Sequence, residues 1–174
     1  LFDYWMDQAM IAESWRDFDT AESDYEEALT YVPDHPEALS SLGALYLYQE
    51  EEEEAQRYFQ RAMEHAGDNL NPYRIIISAW LANLNEDAAW DLMDRVEEKF
   101  DNIPLSFYTL LGGLCVELDR QEMARKWFDY AVENTPAQEK PLATIGELLV
   151  HDHAHDLARE YLQRAIDEEE APGY

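Results

Sequence analysis

Lysine, glycine, cysteine and long apolar runs are all scarce in this chain of 174 residues, and each shortage excludes a class of protein. Twelve basic residues, only three of them lysine (Lys99, Lys126, Lys140), face 39 acidic ones, for a formal net charge of -27. Nucleic acid is therefore excluded as a partner, because binding its phosphates relies on clustered Lys and Arg. Anionic membrane surfaces are disfavoured for the same reason. No apolar run approaches the roughly 20 residues of a membrane span, and no basic n-region precedes an apolar h-region. No membrane insertion is expected, and the expected location is cytoplasmic. The chain opens on Leu1, so it reads as a segment of a longer polypeptide whose true N-terminus lies elsewhere.

The single cysteine, Cys115, sits between Leu114 and Val116, which precludes an internal disulfide and favours a reducing compartment. As a nucleophile it lacks a recognisable base, so it reads as core filler. No HExxH, glycine-rich phosphate loop or nucleophile elbow occurs. An enzyme is not expected, nor is any cofactor.

What is abundant is helical periodicity. In Pro36–Ala62, Leu39, Leu42, Gly43 and Tyr46 fall on one helix face, and Ala55, Phe59 and Ala62 on another. Gly43 and Ala55 are small enough to let two backbones approach. The alanine recurs as Ala21, Ala55, Ala89, Ala124 and Ala158, at intervals of 34, 34, 35 and 34. Four residues after each comes a large apolar side chain: Tyr25, Phe59, Met93, Phe128 and Leu162. Strand-like alternation is absent, so the chain is all-α. Capping chemistry is visible at Asn71 before Pro72, and Asp119 with Glu122 has the spacing of a capping box. The run Glu50–Glu54 falls at a turn and helix start, where carboxylates favour the dipole.

These positions resemble the tetratricopeptide repeat pattern W-x2-L-G-x2-Y, then A-x3-F, then P, at 34 residues per repeat. The second unit matches it through Leu39, Leu42, Gly43, Tyr46, Ala55 and Phe59. The resemblance covers five units, about 2–35, 36–69, 70–104, 105–138 and 139–172, as a single domain of residues 1–174. It implies a right-handed superhelical solenoid of antiparallel helix pairs, with the first helix of each pair lining a concave groove. The third unit is the poorest match: counting back from Ala89 puts Ile77 where a small residue belongs, whereas a one-residue shift puts Ser78 there. Both registers stay open on the sequence alone.

The resemblance also implies which positions face the groove. The fifth column reads Met6, Ser40, Arg74, Thr109 and Ala143, and the ninth Met10, Ala44, Ser78, Gly113 and Glu147. The twelfth holds Glu13, Leu47, Leu81, Val116 and Val150, an apolar stripe that either receives a ligand or packs repeats together. Only Arg74 and Lys140 offer positive charge, so the Lys and Asn carboxylate clamp of chaperone receptors in this family is missing. The expected function is a scaffold or chaperone-like module that binds an apolar or amphipathic peptide of a partner protein, with basic flanks to suit the acidic surround. The alternative is a structural, self-assembling piece, a homo-oligomer built through uncapped ends near Leu162–Tyr174. An acid-rich, lysine-poor surface also suits a high-salt cytoplasm, the ordinary alternative being solubility or a basic partner.

One cluster resembles a chemical site. His151 and His155 stand at i and i+4, which on a continuous helix would offer two imidazoles to a divalent metal. The repeat register puts them in a turn, where they read as polar surface.

Overall fold

The computed structural model describes residues 1–170, which form an all-α helical repeat of ten helices. They pair as α1 (Phe2–Ser14) with α2 (Phe18–Tyr31), α3 (Pro36–Tyr48) with α4 (Glu52–His65), and α5 (Asn71–Ala82) with α6 (Glu86–Lys99). The last two pairs are α7 (Leu105–Glu117) with α8 (Gln121–Asn134), and α9 (Pro141–His151) with α10 (His155–Glu170). Backbone proximity groups the pairs into two compact units, Leu1–Phe100 and the stretch from Asp101 onward.

All five turns inside the pairs have one design. A non-glycine residue adopts the left-handed conformation at Arg16, Glu50, Leu84, Asp119 and His153, with φ between 56 and 67°. The next amide then donates back across the helix end: Asp17 to the Ala12 carbonyl, Glu51 to Tyr46, Asn85 to Trp80, Arg120 to Cys115 and Ala154 to Leu149, at 2.8–2.9 Å. This is the Schellman closure, which satisfies carbonyls the helix leaves unpaired. The residue that donates also starts the following helix. Two of them cap it, Asp17 Oδ1 accepting from the Thr20 amide at 3.3 Å and Asn85 Oδ1 from Ala88 at 3.1 Å.

Two sequence expectations change here. Asp119 ends α7 in the left-handed conformation and α8 begins after Arg120, so the Asp119–Glu122 capping box does not form. Asn71 is the first residue of α5 instead of its cap; its own amide donates to Asn69 Oδ1 at 3.0 Å, and its Oδ1 accepts from Arg74.

Between the two helices of each pair, residues sixteen apart share the core. Ala9 with Tyr25, Gly43 with Phe59, Ile77 with Met93, Gly112 with Phe128 and Gly146 with Leu162 occupy matching positions. A Cβ on Gly43 would stand 2.7 Å from the Phe59 ring, and one on Gly146 would stand 2.6 Å from Leu162. Glycine is therefore required there for close approach. The third pair solves the same problem differently, with Ile77 and Met93 both fully buried while Ser78 is half-exposed. That settles its register in favour of the direct count from Ala89.

Polar staples join consecutive pairs within each unit. Tyr46 and Gln49 both donate to Glu22, each at 3.0 Å, and Arg61 holds Asp34 at 2.8 Å. In the second unit Tyr161 and Arg164 donate to Asp129, at 2.9 and 2.6 Å. Cys115 is fully buried.

Candidate protein-binding site

The expected groove residues divide by burial. Ser40, Leu47, Leu81 and Thr109 lie in the interior, at 0, 1, 0 and 6% exposure, and have no surface to offer a ligand. The twelfth-column stripe is thus packing at Leu47 and Leu81, for the physical reason that successive first helices are pressed together there. Val116 is half-buried, whereas Val150 is 48% exposed. Met10 is 58% exposed; Met6, Ala44, Gly113 and Ala143 are half-buried. A Cβ on Gly113 would meet nothing nearer than Asp152 Oδ2 at 3.9 Å, so that surface is open.

The two cations expected to serve the groove are engaged within the protein. The Arg74 guanidinium donates to Asn71 Oδ1 at 2.6 and 3.0 Å, and burial lowers its pKa, with Glu37 opposing. Burial acts to raise the Glu37 carboxyl, but hydrogen bonds from Asn69 and Asn71 outweigh it and hold the group below the usual range. Lys140 takes the left-handed conformation ahead of α9, and its Nζ lies 3.5 Å from Glu169.

At the histidine turn, α9 ends on His151 and α10 starts on His155, with His153 at φ 60° between them. The helical i, i+4 geometry that would bring the two imidazoles together does not exist. Among the described residues no three potential metal-binding side chains gather. The C-terminal end invoked for self-assembly extends past Glu170, outside the described residues. Near the start of the chain, Tyr4 and Ile11 of α1 and its flanking residues Leu1 and Trp15 are exposed, at 55, 45, 80 and 80%. Their spacing of three, seven and four residues was legible as one helix stripe.

The feature the sequence did not announce is a cleft of about 630 Å³ in the first unit, walled by α4 and α6 and floored by α5. Such volumes lie within the roughly 300–1,000 Å³ of ligand pockets. Phe59, Ile76, Trp80 and Leu92 form an apolar base, with the Phe59 and Trp80 rings edge to face at 5.7 Å. Glu64, Asp91 and Arg95 stand around it. The matching crevice between α2 and α4 holds only about 240 Å³. There Tyr46 and Tyr58 stack at 5.3 Å, and Arg61 reaches Asp34 and the Pro33 carbonyl. One repeat later the same positions carry Trp80, Leu92, Arg95 and Asp68. Leucine in place of tyrosine leaves space.

Among the described residues no helix is long and apolar enough to cross a membrane. Residues 16–79 match the family model described as tetratricopeptide repeat. No curated protein matches the sequence. Among solved structures, the PilF protein of Pseudomonas aeruginosa superposes with a TM-score of 0.56 at 14% identity, covering 99% of this chain and 77% of that one. A crystal structure of the MamA protein aligns at 21% identity over 97% of this chain and 92% of that one, with a TM-score of 0.48. The likeness to PilF is one of fold.

Proposed function

The chain carries tetratricopeptide repeats, matched over residues 16–79, and on that premise we propose that it is a non-catalytic module that binds an apolar or amphipathic segment of a partner protein. The observation supporting this is the apolar surface left uncovered on first helices of an otherwise acidic chain: Met10 in the first unit and Val150 in the second. The flanking carboxylates favour a partner segment with lysine or arginine beside its apolar anchors, acting mainly on association rate and salt dependence. Panning a displayed random-peptide library against the protein should enrich apolar peptides with basic flanks. Met10→Glu should weaken peptides bound to the first unit, and Val150→Glu those bound to the second, by about ten-fold or more. If neither substitution changes binding of any enriched peptide, this surface is not the binding surface.

The outward stripe on α1 supports a second reading, in which a second copy of the chain covers Tyr4, Ile11 and Trp15. Apolar contact then opposes like-charge repulsion, so association should strengthen with salt. Light scattering that finds a monomer at every salt and protein concentration removes this reading. Trp15→Glu should abolish any dimer.

A further inference from the structure

The arginines show where an anion belongs. Of the twelve basic side chains, the described residues leave only Arg95 with no hydrogen bond, ion pair or ring contact; each of the others makes at least one interaction. In a chain with 39 acidic residues this is an unusual economy. Arg61, one repeat earlier, occupies the corresponding position and closes its own crevice by binding Asp34 at 2.8 Å. Asp68 is the equivalent of Asp34, but no ion pair joins it to Arg95 among the described residues. The connection before α5 is one residue longer than that before α3, with Gly67 turned to φ 54°. Arg95 therefore lines the open cleft unpaired, together with Ile76, Trp80 and Leu92.

We propose that this cleft receives a large apolar side chain of a partner protein whose neighbouring carboxylate pairs with Arg95. The proposal rests on the reading of the chain as a protein-binding module, though not on the first-helix surface assigned above. Its chemistry follows from the parts. The base excludes water from an aliphatic or aromatic anchor, and a planar guanidinium matches a carboxylate through two parallel N–H donors. Glu64 and Asp91 repel a second acid and favour lysine elsewhere on the segment. The carboxylate is either an Asp or Glu side chain or the C-terminal carboxyl of the partner.

The test uses the double variant Met10→Glu, Val150→Glu as bait, which disables the first-helix surfaces and leaves the cleft intact. Panned against peptides displayed with free C-termini, it should enrich sequences in which a large apolar residue adjoins a carboxylate. Synthetic copies, with amidated and free C-termini, then separate a side-chain acid from a terminal one. Arg95→Glu should weaken binding about ten-fold or more, because a charge-assisted contact is replaced by repulsion, while Arg95→Lys should retain part of it. Arg95 is exposed and unpartnered, so neither change threatens the fold. Ala88→Trp, which fills the cleft from α6, should also abolish binding, with thermal unfolding checked to show the variant is folded. Peptides enriched by the unmodified protein but not by the double variant would overturn the cleft and leave the module reading standing. Binding insensitive to Arg95→Glu overturns it equally. No enrichment by either bait overturns both.

Discussion

The second and third helix pairs, α3–α4 and α5–α6, have the same turn and different fillings. In the second pair Gly43 lies under the Phe59 ring and Tyr46 stacks on Tyr58. In the third, Ile77 meets the smaller, flexible Met93, and Leu92 stands where a tyrosine stood. Four of the pairs set a small residue against a larger one, whereas the third replaces glycine and phenylalanine by two side chains of similar, intermediate size, isoleucine and methionine. At the outer position the smaller Leu92 has no larger neighbour to fill the space, and there the cleft opens.

The largest test of this trade is Ile77→Gly. Removing a fully buried isoleucine costs about 2–5 kcal/mol, and glycine inside a helix about 1 kcal/mol more, so a loss of about 4 kcal/mol is expected in urea unfolding. Adding Met93→Phe should return at least about 1 kcal/mol of this as coupling. Strict additivity would show that the two positions do not form a unit. The converse change, Gly43→Ala, forces the Phe59 ring to move. Overpacking of about 1–3 kcal/mol, partly offset by the better helix propensity of alanine, leaves a net loss of about 1–2 kcal/mol.

The first pair adds a polar demand to the same frame. Tyr25 pairs with Ala9 in the core, and its hydroxyl donates to Glu13 at 2.8 Å. Burial raises the Glu13 pKa above the usual carboxylate range, and the Tyr25 hydrogen bond offsets only part of this. A group whose folded pKa is raised favours the fold below its unfolded pKa and loses that benefit as pH rises through the folded one. Glu13→Gln should therefore raise the melting temperature near neutral pH and match the natural protein in acid, when both side chains are neutral. A difference that persists in acid would assign the effect to packing instead of charge.

The smallest effect expected is at the turn. Leu84 is 71% exposed and sits at φ 61°, so Leu84→Gly relieves backbone crowding without losing buried area, a gain of about 0.5–1 kcal/mol. Arg16→Gly should gain less, because Arg16 donates to Tyr48 at 2.8 Å.

The helix pairs were legible because the apolar positions repeat every 34 or 35 residues, and that period survives even where the third unit departs from the family pattern. The turns were not. The left-handed residues are Arg, Glu, Leu, Asp and His, so no glycine marked them. Asp119 was misread as a capping residue because its side chain suits that role, whereas backbone closure from Arg120 to Cys115 decides its position. Of the expected binding residues, Met10 and Val150 are exposed, while Leu47 and Leu81 are core. Position in a repeat does not tell how tightly the next repeat presses on it. The cleft was hidden for a related reason: it arises from a difference between two repeats, Tyr58 against Leu92 and a paired Arg61 against an unpaired Arg95, and a pattern match records only what repeats share.

The sixteen-residue separation of every paired core position also bears on how the chain is made. Each helix pair closes much of its core with contacts inside its own stretch of about 30 residues, the rest coming from the neighbouring pair in its unit, and its turn is locked by hydrogen bonds five residues apart. Folding speed follows such locality, and helical domains dominated by short-range contacts form on the order of microseconds to milliseconds. A growing polypeptide adds residues far more slowly than that, at about 5–20 per second. Within each unit a new pair therefore has time to close as soon as it is synthesised, and the pair already made supplies the apolar surface that its successor needs to stay folded.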